Sequence, residues 1–444
     1  MIWQSGPHGM ARRHIRGHTA LETFPMPGTR DTTPQITQTA DVTDTTEMPA
    51  IVVATETATE SGGAQSPAET TTPSPTSGER RTAGQVILDQ LASLRVGVGA
   101  AHAGMTVFPI FAADTASSPL RYRTLEQAIA EGAVEVVEQA SATVPELTLR
   151  NKGAVMIFVL DGEEVVGGRQ NRIVNASFLI AANSTVTLPV TCVEHGRWHD
   201  VSREFSSGES MPHYMRLAKH RQVSASLARM SRPIADQGAT WDAIAEKQAT
   251  TGTRSATGAL HDIYQSQQER LSAWEQTFPY VAGALGFIIG LGGQITGADL
   301  FDQPETAEAL WPKLRRSYAL DALEVTASAP VEQEQAENLL ARARGARCQV
   351  YPSLALGEDA RFEGDGVVGG GLVYEETPIH ISLFRSDEQT TQTTRAGMLA
   401  RASQRRQHYT SGPIVSQQVQ QVQQVTPQPN VAPEPRADEG GSQA

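Results

Sequence analysis

The sequence predicts an α+β fold, a mixed and mainly antiparallel sheet core with a helical middle segment. Three observations lead there. Strand-like apolar patterns lie at both ends of a central region, helix-period patterns lie in its middle, and the two do not alternate as a doubly wound fold requires. No internal repeat is evident.

The elements follow in order. Val86, Ile87, Leu91 and Leu94 give Gly84 to Leu94 the apolar face of a short helix. Met105, Val107 and Ile110 make Gly104 to Ala112 a strand, and Pro109 suggests an edge or a strand end. Thr124, with Gln127 three residues on, is a capping-box pair; it opens a helix through Ile129 that ends near Gly132. Val134 to Glu138 is the next strand. Ala154 to Leu160 is a continuous apolar run, as in a central strand, and Asp161-Gly162 turns the chain. Ile173 to Ala181 and Thr185 to Val193 read as strands; the second sets Val186, Leu188, Val190 and Cys192 on one face. Helices are predicted over Tyr214 to Met230, over Trp241 to Ala249 behind Thr240, and over Leu260 to Phe278, where Pro279 stops the last. Ala282 to Ile295 reads as one glycine-rich strand with bulges. Helices at Glu305 to Ser317 and Val331 to Arg344 precede closing strands at Gly371 to Tyr374 and Ile379 to Phe384.

Composition sets the boundaries. Residues 1–83 are rich in Thr, Pro, Ser and Gly, as in Thr70 to Pro75, and residues 385–444 pass from Gln and Thr into a Pro/Glu/Gly end. Such stretches bury too little apolar surface to offset chain entropy, so both are expected to be disordered tails around a single domain at 84–384. Met10, Met26 and Met48 are alternative starts. A net charge of −13 argues against bulk nucleic-acid binding, and the basic Arg12 to Arg16 cluster lies in the tail. Two cysteines, Cys192 and Cys348, make no disulfide framework and point to a reducing compartment. No signal peptide is visible, and Val281 to Gly293 is too short to span a bilayer. The expectation is a cytoplasmic protein without a membrane partner.

The chemistry concentrates between Asp161 and His199. Gly167-Gly168-Arg169-Gln170-Asn171-Arg172 follows a strand and a turn. Tandem glycines allow close backbone approach, and arginines pair with phosphate or carboxylate. A plain hairpin with solvated arginines accounts for the motif equally well. Cys192, four residues and then Arg197 resembles a thiolate-and-arginine loop. However, a tyrosine-phosphatase loop needs five residues between the two, Glu194 would repel an anion, and Cys192 shares an apolar face. Cys192, Glu194, His195 and His199 lie close, but strand neighbours point to opposite faces and metal-ligand spacing is missing, so neither metal nor cofactor is expected. Glu163, Glu194, Arg172 and Arg197 suit either an ion-pair network or a pocket for an anionic ligand, with Trp198 stacking on its ring. His380, between Ile379 and Ile381, is a site residue of the last strand or a histidine satisfied at the sheet surface.

Asp161-Gly162-Glu163-Glu164, Gly167 to Arg172 and Pro189 to Trp198 resemble the ADP-ribosylglycohydrolase and rhodanese-phosphatase-superfamily-associated protein domain. Leu125-Glu126-Gln127-Ala128, Val144 to Leu147, Asp236-Gln237 with Trp241, Leu300-Phe301 and Ile379 to Phe384 extend the match over most of residues 84–384. The family is uncharacterised. The resemblance implies association with systems that handle ADP-ribose, nucleotide phosphates or damaged RNA ends, and it assigns no catalytic residue.

Three functions compete. The first is binding of a phosphorylated, nucleotide-like or ADP-ribose-related molecule between the two loops: Arg172 and Arg197 on phosphate, Gln170 and Asn171 on polar edges, Trp198 on a ring, and His380 contributing from the last strand. The second is a hydrolase of a phosphate or glycosidic bond with Glu163 or Glu194 as acid/base, Cys192 being the remaining catalytic candidate. The third is a protein-interaction domain whose polar cluster only fixes the fold.

Overall fold

The structure, a computed structural model, describes residues 81–113, 118–138, 146–197, 205–325 and 329–386. Nearly all of both predicted tails, with the Arg12 to Arg16 cluster and the alternative start methionines, lies outside the described residues.

Thr82 caps the first helix, α1 (Ala83–Ala92), by accepting the Gln85 N–H. Leu94 has already left it and begins β1 (Leu94–Val96), followed by β2 (Ala100–His102) and β3 (Met105–Ala112). Pro109 lies inside β3, which pairs on one side with β2 through Met105–Val107 and with β1 through Ile110–Ala112. The proline therefore falls in the gap between two partners, where a missing N–H is tolerated, and not at a sheet edge. After β4 (Tyr122–Thr124), the predicted capping box of Thr124 and Gln127 opens α2 (Leu125–Ala130). Next come β5 (Val134–Glu138), β6 (Glu146–Asn151), β7 (Met156–Val159) and β8 (Glu163–Val166).

The single strand expected from Ile173 to Ala181 is two, β9 (Arg172–Val174) and β10 (Phe178–Ile180), and they join different sheets. β11 (Ser184–Cys192) and β12 (Ser206–Ser210) lead into the helical middle: α3 (His213–Met230), α4 (Gln237–Thr251) and α5 (Leu260–Thr277). α4 begins four residues before the expected Trp241, because Asp236 and not Thr240 supplies the cap. The strand expected from Ala282 to Ile295 is a hairpin of β13 (Gly286–Leu291) and β14 (Gln294–Phe301). Gly292 and Gly293, both at positive φ, form its two-residue turn. α6 (Pro304–Ala322), α7 (Gln333–Gly345), β15 (Arg347–Pro352), β16 (Glu358–Gly364), β17 (Val367–Tyr374) and β18 (Thr377–Arg385) complete the chain.

Among the described residues the strands make three sheets, and every pairing except β4 with β7 is antiparallel. The largest has the order β1-β3-β13-β14-β18-β17-β16-β15, with β2 added beside β3. One of its faces packs Ile110, Ile288, Leu300 and Leu383 against α1 and α7. The other packs Val107, Phe287, Ile289 and Phe301 into the main core with α5 and α6. The sheets β10-β7-β4 and β12-β8-β9-β11-β6-β5 share a further core with α2. This is the predicted α+β class. No helix of the described residues is long and apolar enough to cross a membrane.

Trp311 anchors the main core. It is 1 % exposed, its ring stacks on Phe287 at 3.8 Å between centroids, and its Nε1 donates to Phe278 O at 2.9 Å. Trp311→Ala should therefore lower unfolding free energy by about 3–5 kcal/mol, read from urea denaturation. A loss below 1 kcal/mol would show that this core is not as tightly filled as the contacts imply.

Candidate functional site

The two loops singled out in the sequence lie side by side. Val193 N–H bonds to Asn171 O at 2.9 Å, and Gln170 Nε2 donates to Glu194 O at 2.7 Å. Between them the charged groups meet one another. Arg197 Nη2 lies 2.6 Å from Glu194 Oε2 and 2.9 Å from Asn171 Oδ1, while its Nη1 donates to Gly168 O at 2.6 Å. Glu194 Oε2 also accepts the Asn171 N–H at 3.1 Å. Burial works to raise the Glu194 carboxyl, but bonds from Arg197, Thr257 and the Asn171 backbone outweigh it and hold the group below the usual carboxylate range.

Arg172 pairs with the Glu138 carboxylate and places Nη1 2.8 Å from Cys192 Sγ. Cys192 itself is buried, and burial pushes its thiol up despite Arg172, so the sulfur stays protonated at neutral pH. The backbone that Gly167 and Gly168 free from side chains approaches this chain's own groups. A Cβ on Gly168, at φ +56, would fall 2.6 Å from Phe205 and 2.7 Å from Glu138 Oε2. Gln170, Asn171, Arg172, Glu194 and Arg197 are each at most 6 % exposed. They close into a knot that clamps the loops, leaving neither guanidinium without a carboxylate partner. Glu163 is likewise engaged: Lys313 Nζ (2.9 Å) and the Ser207 hydroxyl (2.5 Å) donate to Oε1, and Leu160 N–H (3.2 Å) donates to Oε2. Trp198 and His199 lie outside the described residues.

His380 leads elsewhere, to a buried polar chamber on the inner face of the large sheet. Two cross-strand rows form its floor. Asp299, Ser382, Gly370 and Arg361 stand in register on β14, β18, β17 and β16, and Phe301, His380, Leu372 and Asp359 make the next row. α3 covers them. Its Arg216 grips Asp299 through both oxygens at 2.6 and 2.9 Å, and its Lys219 pairs with Asp161 in the turn after β7. The ring of His220 lies over Gly370, where a Cβ would come within 2.8 Å of it. Arg361 reaches Asp359 at 2.6 Å and His220 Nε2 at 3.2 Å. Burial and Arg361 both push the His220 imidazole down, so that ring is neutral at physiological pH.

Asp161, His220, Arg361, His380 and Ser177 are among the residues around a cavity of about 10 Å³, roughly the room for one water. Two buried polar atoms in its wall, Asp161 Oδ2 and Arg361 Nε, find no hydrogen-bond partner. Arg361 also borders a second, larger cavity of about 260 Å³ between α3 and β15–β16, where Arg221, Ser224 and Arg347 join it and Glu363 is the acidic residue of the lining. Among the described residues no group of three or more His, Cys, Asp or Glu is placed to hold a metal ion.

Residues 93–384 match the family model of the ARG and Rhodanese-Phosphatase-superfamily-associated Protein domain. The chain belongs to that family. No curated protein and no solved structure matches it. In this family member, Gly167 to Arg172 and Cys192 to Arg197 build the knot, whereas Asp161, Ser177 and His380 belong to the chamber. Sequence reasoning missed Ser177, Arg216, Lys219, His220, Asp299, Asp359 and Arg361. Two signals for them were present. His213, Arg216, Lys219 and His220 recur at helical spacing, and Asp359-Ala360-Arg361-Phe362 alternates charge with apolar residue.

The knot predicts a stability effect. Arg197→Ala would leave Glu194 buried without its cation, at a loss of about 3–5 kcal/mol in urea denaturation. An unchanged midpoint would mean that the arginine is not committed to Glu194.

Proposed function

We propose that the domain binds a small anionic molecule, carrying phosphate or carboxylate, in the cavity between α3 and β15–β16. The observation that carries this reading is Arg361. Its guanidinium is 94 % buried, keeps an unpartnered Nε, and borders a cavity of about 260 Å³ that Arg221 and Arg347 also line. With Arg361 held by Asp359, Arg221 and Arg347 against Glu363 still favour an anion, and planar guanidinium groups suit phosphate and carboxylate oxygens. The volume lies just under the usual range for ligand cavities, so the ligand is small or enters by one end.

The two-loop site anticipated from the motifs fits less well. A phosphate there would have to displace Glu194 from Arg197, a buried pair, or Glu138 from Arg172, a largely buried one. The loops are better read as the clamp that fixes the fold beside the chamber. The systems that the family resemblance implies, those handling ADP-ribose and nucleotide phosphates, supply the first probes.

Inorganic phosphate, a nucleoside monophosphate and ADP-ribose should be titrated while the melting temperature is followed. At a hundredfold excess over Kd a ligand stabilises by about 2.7 kcal/mol, a rise of several degrees. The expected result is a shift with at least one probe in the wild type, lost in the Arg221→Ala/Arg347→Ala variant. A shift that survives in that variant, or none with any probe, would refute the reading.

A further inference from the structure

The chamber holds an arrangement that ligand binding does not use. Ser177, in the connection between β9 and β10, places Oγ 2.8 Å from His380 Nδ1, and His380 Nε2 lies 3.3 Å from Asp299 Oδ1. The histidine ring is fixed by stacking on Phe301 at 5.0 Å and by the edge of Phe158 at 5.9 Å.

Elementary electrostatics sets the direction of the protons. Burial opposes charge on Asp299, but bidentate Arg216 outweighs it and keeps the carboxylate ionised far below the usual range. An ionised carboxylate can only accept, so in the tautomer that this contact selects His380 Nε2 carries the ring proton and Nδ1 is left as the acceptor. The Ser177 hydroxyl then donates to Nδ1. Its oxygen also accepts the Asp161 N–H at 3.0 Å, which favours negative charge developing there. His380 and Asp299 are buried, whereas Ser177 is half-buried and borders the cavity.

We propose that Ser177 is a nucleophile with His380 as its general base, and that the pair cleaves small esters that reach Ser177 from solvent. Ser177 Oγ bonds to the carbonyl carbon while its proton passes to His380 Nδ1. The bond from that carbon to the leaving alcohol breaks, and the alcohol oxygen takes the proton from Nδ1. A water then gives a proton to Nδ1 and bonds through its oxygen to the acyl carbon. The bond to Ser177 Oγ breaks, Oγ recovers the proton, and a short carboxylic acid leaves. The cavity of about 10 Å³ has room for one water and not for an acyl group, so the ester reaches half-buried Ser177 from its solvent side. Asp299 is a positioning residue: it orients the imidazole, and Arg216 shares its charge. An anionic alcohol portion of the substrate would rest on the arginine-lined cavity proposed above; the catalytic pair does not, and a neutral probe tests it separately.

That probe is methanesulfonyl fluoride, a small neutral reagent that captures an activated serine with loss of fluoride. The full chain should be treated, digested and mapped by mass spectrometry. Expected is modification of Ser177 in the wild type, with the rate at that site falling at least tenfold in His380→Gln. Hydrolysis of p-nitrophenyl acetate by the wild type should fall to background in Ser177→Ala. An unmodified Ser177, or one modified equally fast in a folded His380→Gln, would overturn the proposal. Where His380→Gln does not fold, the ester assay decides: turnover that persists in Ser177→Ala overturns it, and loss of turnover supports it.

Discussion

Two ion pairs made by one turn of α3 hold this domain's centre. Arg216 grips Asp299 on the large sheet, and three residues later Lys219 pairs with Asp161 while donating to Val174 O and Asn175 O at 3.1 Å. The second pair thus joins α3 to the turn after β7 and to the chain leaving β9, parts of the two smaller sheets. All four residues are at most 3 % exposed. Buried pairs recover their desolvation only with good geometry and further hydrogen bonds, and stability alone is often served as well by apolar packing. Here the ions do what leucines could not: they fix polar rows under the helix and leave a water-sized space among them.

The same reasoning separates the two polar clusters. In the loop knot, carboxylates neutralise both arginines, and the hydrogen bonds run from one loop to the other, as a clamp requires. In the chamber the charges are also balanced, yet a cavity remains, two buried atoms are unpartnered, and one arginine borders a larger cavity. Perturbed ionisable groups in a cleft mark function more often than groups that satisfy one another fully. The motif-rich segment and the candidate site are therefore neighbours, joined at Asp161, but not the same place.

Much of the fold was legible because local chemistry and tertiary structure agree. Thr124 and Gln127 cap the helix they announce, Pro279 follows the end of α5, and the class follows from apolar periodicity. Errors arose where long-range pairing decides. Asn175, Ala176 and Ser177 break what looks like one strand because its two halves serve different sheets. Gly292 and Gly293 look like bulges until β13 and β14 are seen to pair. The chamber was harder to read. A polar stripe such as His213, Arg216 and His220 is ordinarily a solvated helix face, and only a sheet presenting Asp299 and Gly370 turns it inward. His380 stood out in the sequence, but its partners Ser177 and Asp299 are distant in the chain.

The central claim is that α3 is clasped to the smaller sheets by charge. A double-mutant cycle on Lys219→Met and Asp161→Asn measures this most directly, with unfolding free energies in urea for the four proteins. Each single change should cost about 3–5 kcal/mol, because the partner is left buried and uncompensated, and the double variant should cost much less than the sum. A coupling energy of about 2 kcal/mol or more is the predicted result. Strict additivity, with a coupling near zero, would contradict the account.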